Sequence, residues 1–319
     1  MTSNCTAVTE FLLLGFSNVL GLQILHLATF LVIYLAALIG NLLVIMLIVV
    51  DSHLHTPMYF FLLNLSILDI GSISVIAPKS MANSILKTRL ISYSGCVTQV
   101  FLILFFIPAD LAILTVMAYD RYIAICKPLH YETVMNKRAC LQMAAMGWSA
   151  ALLNSALHTG NTFRLPFCHS NIVNQFFCEI PQLLRISFPE VFTSEIQILI
   201  FGACLGLVCI AFIFVSYIQI FTTVLRIPSE QGWHKAVSTC LPHLIVVSLL
   251  GSTGLIAYVK PTSESPSALD LMLSVLYSMI PPMMNPVIYS MRNKDIKAAL
   301  WKLVRWKWFI VTKMSIVFH

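Results

Sequence analysis

The chain has 319 residues, of which 59% are hydrophobic and only 10% are charged. An average soluble domain carries about 25% charged residues, so this composition excludes a soluble globular protein and predicts a membrane protein. The formal net charge is +6. We attribute this excess to cytoplasmic loops, and we predict no nucleic-acid binding.

The N-terminal segment, residues 1–25, is predicted to be extracellular. Asn4-Cys5-Thr6 is an acceptor sequence for N-glycosylation. This modification requires that the segment enter the secretory lumen. Asn4 is therefore the candidate glycosylation site.

Seven apolar runs follow, each close to the length of about 20 residues that crosses a hydrocarbon layer of about 30 Å. Lipid offers the backbone no hydrogen-bond partners, so we expect these runs to be helices packed in one bundle. The predicted fold is an all-α membrane protein with a seven-helix domain over residues 26–290. The predicted spans are 26–50, 57–79, 97–121, 140–160, 196–222, 238–260 and 269–290.

Basic residues predict the orientation of this bundle. An odd number of spans places the two chain ends on opposite sides of the membrane. The loops and tail on one side hold 13 Lys and Arg residues, whereas the other side holds 6. Because basic loops stay in the cytoplasm, we expect a multi-pass plasma-membrane protein with a cytoplasmic C-terminus and a cytoplasmic Asp120-Arg121 pair.

Several polar residues lie inside the predicted spans, where burial makes them costly. Asp110 and Arg121 share one face of the third span, 11 residues apart, or about 16 Å along a helix. Asp69 lies in the second span, with Asn41 and Asn285 as possible neighbours. Two carboxylates at similar depth repel unless a cation or a proton joins them. Asn41, Asp69 and Asp110 therefore predict either a hydrogen-bonded structural network or a site for a monovalent cation or proton.

Four cysteines fall on the predicted outer side: Cys5, Cys96, Cys168 and Cys178. They permit three pairings, which the sequence alone does not separate. A bridge from Cys96 to Cys178 would fix the long loop between spans four and five over the mouth of the bundle. His169 beside Cys168 is weak evidence for a metal, and we predict no metal site.

Prolines mark deformable points in the last two spans. Pro281, Pro282 and Pro286 interrupt the seventh span, and Pro242 and Gly251 lie in the sixth. Each proline removes a backbone donor and leaves a carbonyl without its helical partner. The prolines predict either simple kinks or hinges for a conformational change.

Four ordered segments together resemble the vertebrate odorant (olfactory) receptor family. They are LHTPMYFFLLNLS at 54–66, with Asp69 following, MAYDRYIAICKPLHY at 117–131, KAVSTC at 235–240 and PMMNPVIYS at 282–290. The segments extend over most of the chain and occur in the family's order. The resemblance implies a rhodopsin-like (class A) G-protein-coupled receptor and no enzymatic activity.

The resemblance implies that the chain binds small hydrophobic volatile molecules and activates a stimulatory olfactory G protein, which raises cyclic AMP. In this family Asp120 would hold Arg121 in the resting state, and Arg121 would turn toward Tyr217 in the active state. The other residues that the resemblance assigns to the switch and to G-protein coupling are Tyr122, Pro128, Leu129, Asn285, Pro286 and Tyr289.

The family's ligand pocket lies in the outer part of the bundle. Carried over to this chain, the pocket is mostly apolar, which suits a ligand held by dispersion and a few hydrogen bonds. The expected ligand-binding residues are Ile103, Leu104, Ile107, Pro108, Ser155, His158, Phe201, Leu205, Gly254, Leu255, Tyr258 and Val275.

Two further features follow from the resemblance. It implies a disulfide between Cys96 and Cys178. It also implies a short cytoplasmic amphipathic eighth helix and a C-terminal tail within residues 291–319, where Trp301 is one of three tryptophans. A disordered basic tail is the alternative reading of that segment.

This chain departs from the family pattern at three places. Asp110 stands where many relatives have Glu, and Leu250-Gly251-Ser252 stands where an aromatic-tyrosine-glycine run is common. Phe188 stands where the family has the cysteine that would pair with Cys168. We therefore expect altered cation contacts and a larger pocket floor, and we expect Cys168 to be either free or bridged to an unusual partner such as Cys5.

Other classes of function remain alternatives from sequence. A seven-helix receptor for a non-odorant metabolite or lipid would carry the same motifs. A transporter or channel would use similar buried carboxylates, but the odd number of spans argues against an inverted repeat. Apart from a possible cation or proton near Asp69 and Asp110, we predict no cofactor.

Overall fold

A computed structural model describes residues 8–14, 19–86, 89–167, 170–187, 192–226, 237, 240–241, 243–252, 268–292 and 294–302. The predicted residues Asn4, Cys168, Gly254, Leu255 and Tyr258 lie outside this part of the chain. The helices are α1 (Leu20–Val50), α2 (Pro57–Leu86), α3 (Tyr93–Cys126), α4 (Tyr131–Val134), α5 (Lys137–Thr162), α6 (Ile180–Ile186), α7 (Phe192–Leu225), α8 (His243–Ser252), α9 (Ala268–Ser278), α10 (Ile280–Arg292) and α11 (294–302).

Five segments of the described chain are long and apolar enough to cross a membrane: Leu20–Val50, Pro57–Ile85, Tyr93–Cys126, Gln197–Leu225 and Leu271–Tyr289. The 26 residues of α5 form a sixth long helix, which spans about 39 Å at 1.5 Å per residue. In the predicted sixth span, the structure describes α8 together with residues 240–241. The prediction of an all-α membrane protein is confirmed, and these helices are consistent with a seven-helix bundle.

The first span is longer than the sequence predicted. Helix α1 begins at Leu20 rather than at residue 26, because the apolar run continues through Leu22, Ile24 and Leu25, whose side chains are exposed on the bundle surface. Apolar side chains on that surface are stable in lipid, so the helix extends into the segment that we assigned to the N-terminus.

Helix α3 lies at the centre of the bundle, where it contacts α2, α5 and α7. Its buried residues Ala109, Ile113 and Met117 belong to the largest apolar cluster. Because α3 is surrounded by other helices, the polar groups on it are placed where several helices meet.

Helix α10 carries the prolines of the last span, and its packing shows how the lost hydrogen bonds are replaced. Pro286 has no N–H to donate to the carbonyl of Pro282, four residues earlier. The side chain of Asn41 on α1 donates to that carbonyl instead, at 2.9 Å. A Cβ added at Gly40 would lie 2.8 Å from Pro286 Cγ, so glycine at this position allows α1 to approach α10 closely.

A three-stranded sheet covers the outer end of the bundle, in the order β2-β1-β3. Strand β1 (Glu10–Leu13) pairs antiparallel with β2 (Leu90–Ser92) and parallel with β3 (Ile172–Val173). The sheet joins the N-terminal segment to two outer loops. The sequence did not predict these strands.

The disulfide between Cys96 and Cys178 lies beside this sheet, as the resemblance implied. The two Cα atoms are 5.6 Å apart, and both cysteines are buried in one apolar cluster with Phe11, Ile91 and Val173. We call this cluster, the sheet and the disulfide the outer cap.

Candidate functional site

A central cavity lies inside the bundle, below the outer cap. Its volume is about 20 Å³, which admits a water molecule or two rather than a whole odorant. Of the predicted ligand and network residues, Ile103, Ile107, Asp110 and Asn285 line this cavity. The remaining lining residues are Ser72, Ile76, Leu114, Val246, Leu250, Tyr277, Ser278, Pro281 and Pro282.

Other predicted ligand residues lie around the cavity rather than on its walls. Leu104 packs against the outer cap cluster, and Val275 packs against the apolar cluster between α1, α2 and α9. Pro108 is half-buried inside α3. Ser155 is completely buried on α5 and donates to the Phe101 carbonyl, so its hydroxyl links α5 to α3.

His158 is buried between α5 and α7, where glycine makes room for it. A Cβ added at Gly202 would lie 3.3 Å from His158 Nε2 and 3.6 Å from Asn154 Oδ1. The backbone of α7 therefore approaches the polar face of α5 at Gly202. His158 thus lies in a helix interface.

The prediction that Phe201 and Leu205 face the pocket is wrong. Their side chains are 62% and 50% exposed on the outside of the bundle. The close approach at Gly202 fixes the rotation of α7, and Ile213, Tyr217 and the buried residues after them continue the inward face. Phe201 and Leu205 consequently point outward, toward the position of lipid.

Polar contacts connect the central cavity to the outer cap, and the sequence did not single out their members. Tyr277, which lines the cavity, donates to Glu179 Oε2 at 2.7 Å. Gln175 donates to Ser274 Oγ at 2.7 Å, and Gln99 accepts from the Cys178 N–H at 2.8 Å. Glu179 directly follows the bridged Cys178, which is the one signal that could have indicated its role.

Asp69 and Asp110 of the predicted polar network lie at the inner side of the cavity with Asn285, whereas Asn41 bonds to the Ala37 and Pro282 carbonyls. Asn285 Nδ2 donates to both carboxylate oxygens of Asp69, at 3.0 Å each. Asp110 lies close enough for its carboxyl group to interact electrostatically with Asp69. Among the described residues, Asp110 Oδ1 and Asn285 Oδ1 have no hydrogen-bond partner. These two acceptors could therefore receive a proton, a water molecule or a small cation.

Arg121 occupies the inner end of the same helix face and is buried. Its guanidinium donates to the Tyr217 hydroxyl at 3.0 Å. That hydroxyl also bonds to His243 Nδ1, at 2.9 Å. The three side chains join α3, α7 and α8. The guanidinium lies 6.0 Å from the ring centroid of Tyr289, so α10 also contributes.

Asp120 has a hydrogen-bond partner that the sequence did not identify. Its Oδ1 accepts a hydrogen bond from the Tyr131 hydroxyl at 2.8 Å. Burial raises the pKa of Tyr131, and the nearby Asp120 carboxylate raises it further, so the hydroxyl keeps its proton at neutral pH. The first residues after α3 thus fold back onto Asp120.

Two predicted coupling residues form a protruding turn between α3 and α4. Pro128 begins the short 3₁₀ helix Pro128–His130, and the side chain of Leu129 is 94% exposed. Tyr122 lies nearby with Lys127 Nζ 5.6 Å from its ring centroid. An apolar side chain so fully exposed on a loop is a candidate contact for a protein partner.

Helix α11 is held against the turn that follows α1. Tyr59 donates to Asp295 at 3.0 Å, and Lys302 pairs with Asp51 at 3.2 Å. Trp301 is largely exposed, as expected for an aromatic side chain at a membrane surface. The predicted eighth helix therefore exists over residues 294–302.

Three features define the class of rhodopsin-like G-protein-coupled receptors. They are helices of membrane-spanning length, a bridged loop over their outer end and a buried Asp120-Arg121 pair at the inner end. Residues 30–307 match the family model described as "Olfactory receptor". The chain is 53% identical to human olfactory receptor 14A16 over 305 residues, which cover 96% of this chain and 98% of that protein. It is 52% identical to human olfactory receptor 14L1, with 93% of this chain and 91% of that protein covered. It is 45% identical to gorilla olfactory receptor 1G1, with coverages of 94% and 96%.

The chain belongs to the olfactory receptor family, as the ordered motifs indicated. It is an odorant-sensing, G-protein-coupled receptor and a multi-pass protein of the plasma membrane, not an enzyme. This membership also argues against the transporter and channel alternatives.

Proposed function

We propose that this receptor binds a small hydrophobic odorant around the central cavity and activates a stimulatory olfactory G protein, which raises cyclic AMP. The observation that carries the proposal is a path of residues that share one face of α3. It runs from the apolar Ile103 and Ile107 through Asp110 to Arg121, with the bridged loop above and the exposed Leu129 below.

The outer part of this path supports odorant binding. Ile103 and Ile107 give the cavity apolar walls, whereas Tyr277 and Ser278 offer hydroxyl groups. An apolar site with few polar groups suits a volatile molecule. Because the cavity volume is about 20 Å³, a whole odorant requires that the helices lining the cavity move apart when it binds. Binding is thereby coupled to movement of α8 and α9, which supply lining residues.

The inner part of the path supports coupling to a G protein. Tyr217 bonds to Arg121 and to His243 at the same time. Outward movement of α8 would break the bond to His243 and leave Tyr217 as a partner of Arg121 alone. One hydrogen bond of this kind contributes about 1 kcal/mol, a difference that ligand binding can supply. Leu129 and Pro128 would contact the G protein from the adjacent turn.

The buried carboxylates support a monovalent cation or a proton as a modulator of this movement. Asp69 and Asp110 repel each other when both are ionised, and either a proton or a cation removes that repulsion. Asp110 Oδ1, without a hydrogen-bond partner in the described part of the chain, is the candidate acceptor. The residues present fit such a site, and their carboxylate chemistry suits a hard cation.

The outer cap supports an extracellular N-terminus. Disulfides form in the secretory pathway and persist outside the cell, and the Cys96–Cys178 bridge lies in the same cluster as β1. We therefore propose that the N-terminus, with Asn4 as its glycosylation site, is extracellular. The receptor domain and the C-terminal tail follow, and the tail is cytoplasmic.

A cyclic AMP reporter assay in cells that express the chain tests the proposal. A panel of volatile molecules is applied, with cells that contain or lack the olfactory stimulatory G-protein α subunit. We expect at least one volatile to raise cyclic AMP only when this subunit is present. A ligand response that is unchanged without the subunit would contradict the proposed coupling.

A further inference from the structure

A second cavity lies at the outer end of the bundle, between the first turns of α1 and the last turns of α2. Its volume is about 30 Å³, so it admits a head group about the size of a few water molecules. Phe30 and Phe176 form an apolar wall, with their rings edge to face and centroids 5.5 Å apart. None of its described lining residues also lines the central cavity. We call it the outer α1–α2 cavity.

The polar side of this cavity favours a negative charge. Its lining includes the cation of Arg89 and the imidazole of His26, and none of the described lining residues is acidic. Gln23, Asn83, Ser80 and Ser84 add amides and hydroxyls. Guanidinium groups bind carboxylate and phosphate oxygens through charge-assisted hydrogen bonds. The cavity thus has the chemistry of an oxyanion site.

Asn83 supplies a second observation. Its Oδ1 is buried and has no hydrogen-bond partner in the described part of the chain. A buried polar atom in this state lowers stability. The amide can turn to present Nδ2, which donates hydrogen bonds. An oxyanion in the cavity would accept such a bond, and Oδ1 would then face away from it.

The surroundings of the cavity indicate what is attached to that head group. Ile24 and Leu25 on α1 and Ile85 on α2 are 58%, 58% and 62% exposed. They lie on the same turns of the two helices as the cavity and face the position of lipid. An alkyl chain could therefore lie along these side chains while its head group occupies the polar cavity.

We propose that the outer α1–α2 cavity binds the oxyanion head group, a carboxylate or a phosphate ester, of an amphiphile whose alkyl chain lies against the outer ends of α1 and α2. The bound head group links α1 and α2 to Phe176 of the long outer loop. Occupancy therefore stabilises the outer cap, whichever odorant the central cavity accepts. A fatty acid and an acidic membrane lipid share this chemistry, and the test separates them.

The full receptor is purified into nanodiscs of phosphatidylcholine, and its melting temperature is measured as each probe is titrated. The probes are octanoate, its neutral counterpart 1-octanol, and phosphatidylglycerol added to the nanodisc lipid. A saturable rise with octanoate but not with octanol supports a free carboxylate ligand. A rise with phosphatidylglycerol alone supports a membrane lipid. No rise with either acidic probe overturns the proposal.

Variants decide whether the effect belongs to this cavity. Arg89→Gln should weaken the response to the effective probe by at least about tenfold, which equals about 1.4 kcal/mol. Arg164→Gln, which removes an exposed outer cation that does not line the cavity, should respond like the unaltered receptor. Equal responses from Arg89→Gln and the unaltered receptor would overturn the assignment.

A second variant covers the case in which Arg89→Gln does not fold. Ser84→Phe fills the cavity and removes only a hydrogen bond from Ser84 to the Ser80 carbonyl within α2. It should abolish the response, and a retained response overturns the proposal. Ile107→Ala, in the central cavity, should leave the response to the acidic probe unchanged. The measurement needs no G protein, so it is independent of the proposed odorant signalling.

Discussion

The outer and inner ends of the helix bundle are held together by different kinds of bond. At the outer end, backbone ladders and the Cys96–Cys178 disulfide join three chain segments. At the inner end, Arg121, Tyr217 and His243 meet through single side-chain hydrogen bonds. A disulfide does not exchange during signalling, whereas a hydrogen bond worth about 1 kcal/mol exchanges easily. The outer end is thus built to keep its shape, and the inner end to change partners.

This difference explains why polar residues are arranged unequally along α3. Near the outer cap the helix presents Ile103 and Ile107 to the central cavity, and Gln99 holds the Cys178 backbone in place. At the cytoplasmic end, Asp120 and Arg121 each bond to a tyrosine from another segment. A ligand that shifts α3 or its neighbours meets resistance at the cap, so movement is directed to the inner end.

The largest effect is expected from Cys96→Ser, which removes the covalent part of the outer cap. Loss of a native disulfide typically costs about 2–5 kcal/mol, and Cys96 is also buried in the cap cluster. We expect surface delivery, measured by antibody labelling of intact cells, to fall by at least about tenfold. The control Cys204→Ser changes an exposed free cysteine and should be delivered normally. Normal delivery of Cys96→Ser would show that the cap does not depend on its disulfide.

Arg121→Ala tests the inner end without disturbing the cap. It removes the bond to Tyr217 and the contact with Tyr289, so ligand-induced cyclic AMP should be abolished while surface delivery stays measurable. Arg138→Ala, which removes an exposed cytoplasmic cation at the start of α5, is the matched control and should signal normally. A normal response from Arg121→Ala would refute the switch assignment.

A smaller effect is expected from a substitution inside the outer part of the bundle, and no effect from one on its lipid-facing surface. Ile107 lines the central cavity, whereas Phe201 is 62% exposed. A lost pocket contact changes ligand discrimination by about 1–3 kcal/mol. We expect Ile107→Ala to shift the half-maximal ligand concentration by about tenfold or more and to change the order of preferred volatiles. Phe201→Ala should leave both unchanged. The opposite result would restore the sequence prediction for Phe201.

The sequence predicted the features that depend on composition and local pattern. Apolar length identified the spans, and the cost of burying charge singled out Asp69 and Asn285 as possible neighbours. Their contact at 3.0 Å confirms this prediction. The family motifs added the Cys96–Cys178 bridge, which counting cysteines left open among three pairings.

Features that depend on how distant elements meet could not be predicted in the same way. The strands of the outer cap have two to four residues, too few to show an alternating pattern. The rotation of α7 follows from the space at Gly202 beside His158. The family's pocket positions, carried over by sequence, do not contain this rotation, so they did not show that Phe201 faces outward. The bond between Tyr217 and His243 likewise requires the relative depth of two helices. That depth is set by packing.

The smallest effect is expected at the surface contact between α11 and the turn after α1. Hydrogen bonds from His53, and the bond and charge of Lys302, hold the pKa of Asp51 below its ordinary value. Because the folded pKa is lowered, this contribution to stability is complete above the unfolded value of about 3.9 and is lost as the pH falls through the folded pKa. The Asp51 carboxylate therefore adds no pH dependence of its own between pH 6 and pH 8.

Asp51→Asn tests this expectation, with Glu132→Gln as a control at an exposed cytoplasmic carboxylate. Exposed ion pairs contribute little and are screened by salt, so the half-maximal ligand concentration in the cyclic AMP assay should change by less than about twofold. A loss of signalling as large as that of Arg121→Ala would mean that α11 is part of the switch. The inner end would then extend from the hydrogen bonds around Arg121 to the membrane surface.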